Sequence, residues 1–137
     1  MRSIILQAAT RLLAGLMLIF AAYLLIRGHN APGGGFAGAL VATTAFALFA
    51  IADRTSSVRR AIRIPPQYIV GAGLALAILS GLIGPALGYP FMTGLWWEPQ
   101  GTAGGIALGT PILFDIGVFF TVLGALLTLL LRLEESV

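Results

Sequence analysis

The sequence predicts an all-α integral membrane bundle of four transmembrane helices, with a glycine-rich loop after the first. Of the 137 residues, 58% are hydrophobic and only 9% charged, against roughly 45–50% apolar and about 25% charged in soluble domains. Four apolar runs approach the roughly 20 residues that cross about 30 Å of hydrocarbon. Most of the charged side chains sit at or near the ends of those runs, as membrane anchors do. The length suits one transmembrane domain, 1–137, and leaves no room for a second, water-soluble unit.

The first span runs from about Ile4 to Ile26. Arg2 before an apolar stretch is also how a cleaved signal peptide begins, but the apolar part continues from Leu12 to Ile26 and no clean small-x-small pattern follows. Arg11 lies inside this span, and its long stem is expected to snorkel to the membrane surface as an anchor. Gly28 and the run Pro32-Gly33-Gly34-Gly35 then break the helix.

The second span, about Gly35 to Ala52, is near the short limit, so it tilts little or begins inside the glycine run. After it, Asp53 to Pro66 carries Arg54, Arg59, Arg60 and Arg63, which read as orientation determinants and lipid-headgroup contacts. The third span is about Gln67 to Leu87. The connection that follows, to Gly109, is longer than a compact link needs and apolar in places, as an interfacial or re-entrant segment would be. The fourth span, about Pro111 to Leu131, opens with Thr110 as an expected N-cap and Pro111 at the first helical position.

Small residues recur at four-residue spacing in Gly34, Gly38 and Ala42, and again in Gly73, Ala77 and Gly81. Such faces let helix backbones approach closely, although membrane helices are rich in glycine and alanine in any case. An even number of spans puts both termini on the side of the second loop, with Arg2, Arg54, Arg59, Arg60, Arg63 and Arg132 there and Arg11 near it. The opposite side holds only Arg27. By the positive-inside rule the termini are expected in the cytoplasm, with His29 and Trp96-Trp97 on the outer side.

Composition and motifs exclude several function classes. Cysteine is absent, so disulfides, thiolate metal sites and cysteine nucleophiles are excluded, and a single histidine limits metal chemistry. No metal or cofactor is expected. There is no pair of carboxylates with room for a substrate and no serine with a base, which argues against independent catalysis. All eight basic side chains are arginines, but their placement at helix ends points to lipid and not to nucleic acid. Gly33 to Gly38 satisfies G-x-G-x-x-G, yet a membrane span and not a strand precedes it, so a tight re-entry into the second span is the better reading than a nucleotide cradle.

Two titratable residues stand out. Asp115 lies one turn inside the fourth span with no further charge from Ile116 to Leu131. An ionised aspartate at mid-membrane costs about 2.5–3.5 kcal/mol, less near the interface, so a partner, water or a proton should accompany it. A carboxylate near a helix N-terminus, favoured by the dipole and reaching the headgroups, is the plainer alternative. His29 is either a proton relay at the interface or a solvated loop histidine. On the predicted orientation Asp115, His29 and Arg27 share a depth, and an electrostatic contact among them is expected. Glu98, between Trp97 and Pro99, reads as a solvated loop charge, although an outer ion entrance would also want an acid there.

Two stretches carry a resemblance, Gly28-His29-Asn30-Ala31-Pro32-Gly33-Gly34-Gly35-Phe36 and Leu108-Gly109-Thr110-Pro111-Ile112-Leu113-Phe114-Asp115-Ile116-Gly117-Val118. Together they look like the two signatures of the MnhB/MrpB family, the B-type component of the multisubunit Mrp-type Na+/H+ antiporter, and the likeness covers nearly the whole chain. The resemblance implies a non-catalytic component of the cell membrane that assembles with A, C, D, E, F and G type subunits, the complex exchanging Na+ and H+. It ties function to His29, Pro32, Phe36 and Asp115, within motifs that include Gly33, Gly34, Gly35, Thr110 and Pro111. Asp115 and His29 are then the expected ion-path or proton-relay residues. B-type subunits also occur in membrane-bound hydrogenase and related respiratory complexes, and a purely structural scaffold role is a further alternative.

Overall fold

The computed structural model describes residues 3–27, 34–91, 93–97 and 108–136. Five helices are present among them: α1 (Ile4–Arg27), α2 (Gly35–Ala52), α3 (Thr55–Ile62), α4 (Pro66–Ala86) and α5 (Thr110–Ser136). A two-residue antiparallel pair, β1 (Trp96–Trp97) with β2 (Leu108–Gly109), precedes α5. The helices α1, α2, α4 and α5 are each long and apolar enough to cross a membrane. The fold is therefore the all-α, four-span arrangement that the apolar runs predict.

The four long helices stand in a row: α4 lies mainly against α5, α5 against α2, and α2 against α1. Small residues make much of this contact, with a few leucines of α5 between them. The central cluster is Ala21, Ala39, Ala42, Leu123 and Leu127, while Leu and Ile side chains such as Ile19, Ile51 and Leu79 point outward. A water-soluble core would invert that pattern. Here lipid solvates the large apolar groups as well as protein does, so association relies on small residues that bring backbones together.

Both predicted small-residue faces serve this purpose. Gly73, Ala77 and Gly81 are buried along α4, and a Cβ built on Gly73 would stand 2.5 Å from Thr121 N and 2.7 Å from the Gly117 carbonyl of α5. Gly117 is equally tight from its own side, with Ala77 N at 2.6 Å from its built Cβ. On α2 the buried residues include Gly38, Ala39, Ala42 and Ala45.

The arginine-rich connector holds a helix that sequence reading leaves as a loop. Helix α3 is two turns long, too short to persist alone. It forms because Val58, fully buried, docks with Ala50 and Leu131 while Ile62 packs beside them. It stops at Arg63, whose left-handed backbone (φ 67°) costs about 1–2 kcal/mol and whose N–H closes the helix on the Arg59 carbonyl at 3.0 Å. Pro65 follows and disfavours helix at Ile64, and Pro66 opens α4 from its N-terminal turn.

Helix α4 runs through Pro85 to Ala86 and ends on Gly88 (φ 89°). Tyr89 N–H donates to the Gly84 carbonyl at 2.9 Å and Gly88 N–H to that of Pro85 at 3.1 Å, the paired bonds of a glycine-terminated helix. Gly88, and not Pro85, is thus the stop signal of this span.

Charged groups tie one end of the row together. Arg11 Nη2 lies 3.4 Å from Asp53 Oδ2, joining the start of α1 to the end of α2. Arg59 of α3 forks onto Glu135 at the end of α5, its Nε on Oε1 and its Nη2 on Oε2 at 2.9 Å. Arg11 does reach the end where Arg54, Arg59, Arg60, Arg63 and Arg132 gather. Arg27 lies at the other end, its guanidinium 5.7 Å from the centre of the Tyr23 ring.

Candidate functional site

The two sequence signatures meet at the Arg27 end. Gly34 adopts φ 105° and ψ −171°, a conformation open to glycine alone, and its N–H donates to the Leu24 carbonyl of α1 at 2.9 Å. The chain is thereby folded back so that α2 starts against α5. At Gly35 the approach is closest: a Cβ built there would overlap the Asp115 carbonyl oxygen and stand 3.0 Å from Phe119 N. One turn on, a Cβ on Gly38 would stand 2.9 Å from the Ala21 carbonyl and 3.3 Å from the Phe119 ring. The space beside Gly35 and Gly38 is therefore filled by neighbouring helices, which leaves no phosphate cradle at these two positions and accounts physically for their being glycine.

Asp115 is half-buried and lies one turn before Phe119, on the stripe of α5 that meets α2. The N-termini of α2 and α5 lie at this level, as do the C-termini of α1 and α4, so helix ends of both polarities meet there. Among the described residues no cation stands within 4 Å of its carboxylate, and the two ion pairs are those of Arg11 and Arg59. The expected contact with Arg27 takes no ion-paired form, and the Arg27 cation sits over Tyr23 instead. His29, Pro32, Gly33 and Glu98 lie outside the described residues.

Phe36 follows the buried Gly35 and turns outward, 58% exposed, from the first turn of α2. A large aromatic in this position contributes little to the packing of this chain and is available to lipid or to another protein.

Thr110 does something other than the local capping expected of it. Its hydroxyl accepts the Leu95 N–H at 3.0 Å, and its own N–H donates to the Leu95 carbonyl at 2.9 Å. The same hydroxyl lies 3.4 Å from the Thr93 carbonyl. No amide of α5 is bonded to it among the described residues. The reason is desolvation: the segment leading into β1 brings a part-buried Leu95 amide against the start of α5, and that amide needs an acceptor. Thr110→Val, which keeps the shape but not the acceptor, is expected to cost about 1–3 kcal/mol. A lower Tm of the detergent-purified protein would record it.

Thr110 and Pro111 face α4, on the other side of α5 from Gly35. There a cavity of about 110 Å³ is lined by Ser80, Gly81, Thr93, Gly94, Thr110, Pro111 and Phe114. That is room for a few waters at about 30 Å³ each, with hydroxyl groups to hold them. Sequence reading missed Ser80 and Thr93, because single hydroxyl residues in apolar surroundings give no pattern. The site residues thus divide between two faces of one helix, Asp115 toward α2 and the polar cavity toward α4.

A family model described as "Domain related to MnhB subunit of Na+/H+ antiporter" matches residues 5–128. The B-type Na(+)/H(+) antiporter subunit of Bacillus subtilis (strain 168) is 38% identical over 136 residues, covering 97% of this chain and 94% of that protein. A longer Rhizobium meliloti (strain 1021) protein, named as a probable K(+)/H(+) antiporter chain of combined A/B type, is 37% identical over 119 residues, 86% of this chain but 12% of its own length. Among solved structures, a chain of the Mrp complex from Dietzia sp. DQ12-45-1b superposes with a TM-score of 0.83 at 31% identity, over 96% of this chain and 14% of that one.

Proposed function

The chain belongs to the MnhB family and is a multi-pass membrane protein, and we propose that it serves as a non-catalytic component of a hetero-oligomeric monovalent cation/proton antiporter, contributing to assembly and to the ion path. The observation that carries the ion-path part is Asp115: a half-buried carboxylate in the second turn of a membrane helix, with no cation beside it among the described residues. Such a group is maintained in a membrane when water, a proton or a transported cation comes to it. His29, in the adjoining loop, is the second relay residue of this reading. The chain alone transports nothing, since four helices in a row leave no central site enclosed between two halves.

The relatives support the placement among partners. In Rhizobium meliloti a B-like segment forms part of a chain whose name joins the A and B types, which makes an A-type subunit the expected neighbour, with C, D, E, F and G type subunits completing the complex. The gathered arginines support a cytoplasmic position for both termini. The Asp115 end then faces outward.

The reading is tested in a strain lacking its own B-type subunit, complemented with this chain, by following cation-driven proton movement in everted vesicles and the co-purification of sister subunits. Exchange restored together with a stable complex is the expected result; a stable complex of oxidoreductase subunits instead would overturn it. Phe36→Ala is expected to leave the chain folded in the membrane but to reduce the sister subunits recovered with it about 5- to 30-fold, the effect of losing one buried aromatic anchor worth about 1–2 kcal/mol. Quantitative co-purification measures it.

A further inference from the structure

At the arginine-rich end, α3 lies across the row as a basic amphipathic helix with Val58 on its buried face and Arg59 and Arg60 exposed. That end collects six arginines (Arg11, Arg54, Arg59, Arg60, Arg63, Arg132) against three carboxylates (Asp53, Glu134, Glu135) among the described residues, a surplus of three positive charges. Where α3 turns into α4 there is a cavity of about 180 Å³ lined by Arg59, Ile62, Arg63, Ile64, Pro66 and Leu131. Two arginines and otherwise apolar residues make its wall.

The two arginines are held differently. Arg59 is fixed by its fork onto Glu135, which neutralises it but leaves N–H donors unused. Arg63 has no carboxylate within ion-pair distance among the described residues, and its backbone is locked in the left-handed turn between Arg59 and the two prolines. A fixed turn thus sets Arg63, without an ion-pair partner among the described residues, in the lining of an otherwise largely apolar cavity at the start of an apolar helix long enough to cross a membrane. A soluble anion would match the guanidinium but not the Ile64 and Pro66 wall. A phosphodiester attached to acyl chains matches both.

We propose that the slot between α3 and α4 binds the headgroup of an anionic phospholipid of the bilayer, its phosphate on Arg63 with Arg59 as a second donor and its glycerol carbons against Ile62, Ile64 and Pro66. The lipid serves as a wedge that keeps α3 seated across the ends of α2 and α5.

The test uses the full-length chain purified in detergent with its partner subunits, titrated with dioctanoyl phosphatidylglycerol or dioctanoyl phosphatidylcholine, with bound lipid counted by native mass spectrometry. Phosphatidylglycerol is expected to bind about five-fold or more tightly than phosphatidylcholine, from the charge of one arginine near the surface. Arg63→Asn, which retains the left-handed turn because asparagine tolerates it, is expected to erase that preference, and Arg63→Lys to keep most of it. Arg54→Asn removes the same charge outside the slot and should leave the preference intact. Equal losses in the Arg63 and Arg54 variants would reduce the effect to a diffuse surface field and overturn the site. Equal binding of the two lipids by the unaltered protein would do the same, as would displacement of phosphatidylglycerol by millimolar inorganic phosphate, which would make it a site for water-borne anions.

Discussion

Asp115→Asn is expected to lower cation/proton exchange about a hundredfold or more, while the complex assembles at its normal level. The size follows from the proposed ion-path role, since removing a proton-transfer group typically costs a factor of about 10² to 10⁴. Assembly should survive because the backbone carbonyl of Asp115, and not its carboxylate, meets Gly35 of α2, and the carboxylate has no ion-pair partner among the described residues. Asparagine keeps the volume and the helix. Asp115→Glu retains a titratable group but moves it by one methylene, so partial exchange is expected. The measurement is acridine-orange fluorescence recovery in everted vesicles on adding Na+ or K+, with co-purification of sister subunits from the same membranes. Full exchange in the asparagine variant would remove Asp115 from the ion path and leave this chain a scaffold.

What the sequence made legible is what apolar runs and local breakers determine. Four long apolar stretches could only be membrane helices, since no soluble fold can cover itself with so few charges, and the Gly73-Ala77-Gly81 spacing announced a face for a partner helix. The identity of that partner, α5, was hidden, because it depends on Gly117 and Thr121, more than a loop away in sequence. Helix α3 was invisible for a related reason: eight residues rich in serine and arginine look like a connector until Leu131 and Ala50 supply the surface on which Val58 docks. Thr110 shows local reading overruled. Its type and its position before Pro111 suit a cap, yet the amide of Leu95, just before β1, made the stronger claim on its hydroxyl. Asp115 was conspicuous from the start by the rule that charges are expensive in hydrocarbon, but nothing in the residue order hints that its carbonyl is the surface against which Gly35 packs. The contact joins positions 35 and 115, and only the turn at Gly34 brings them together.

That contact yields the second large effect. Gly35→Ala is expected to destabilise the chain severely and to abolish assembly, because the added methyl would overlap the Asp115 carbonyl and crowd Phe119 N. Both obstacles are helix backbone, which cannot rotate aside as a side chain does. Overpacking costs about 1–3 kcal/mol where neighbours adapt, and a shift of α2 from α5 would also loosen the alanine contacts below it. Gly117→Ala should behave alike, since its methyl would meet Ala77 N and the Gly73 carbonyl across α4. The same substitution at Gly71 or Gly15, where an added Cβ meets nothing within 4 Å, should be neutral or stabilise the helix by up to about 1 kcal/mol in the isolated chain. The four variants share one chemical change, so helix propensity and hydrophobicity predict no difference among them. Membrane abundance and Tm in detergent should nevertheless fall for positions 35 and 117 alone. If Gly71→Ala or Gly15→Ala abolishes assembly while leaving the isolated chain stable, that glycine marks a surface on which a sister helix packs. If Gly35→Ala is tolerated, α2 does not rest on the backbone of α5 and the convergence of the two motifs at Asp115 is lost with it.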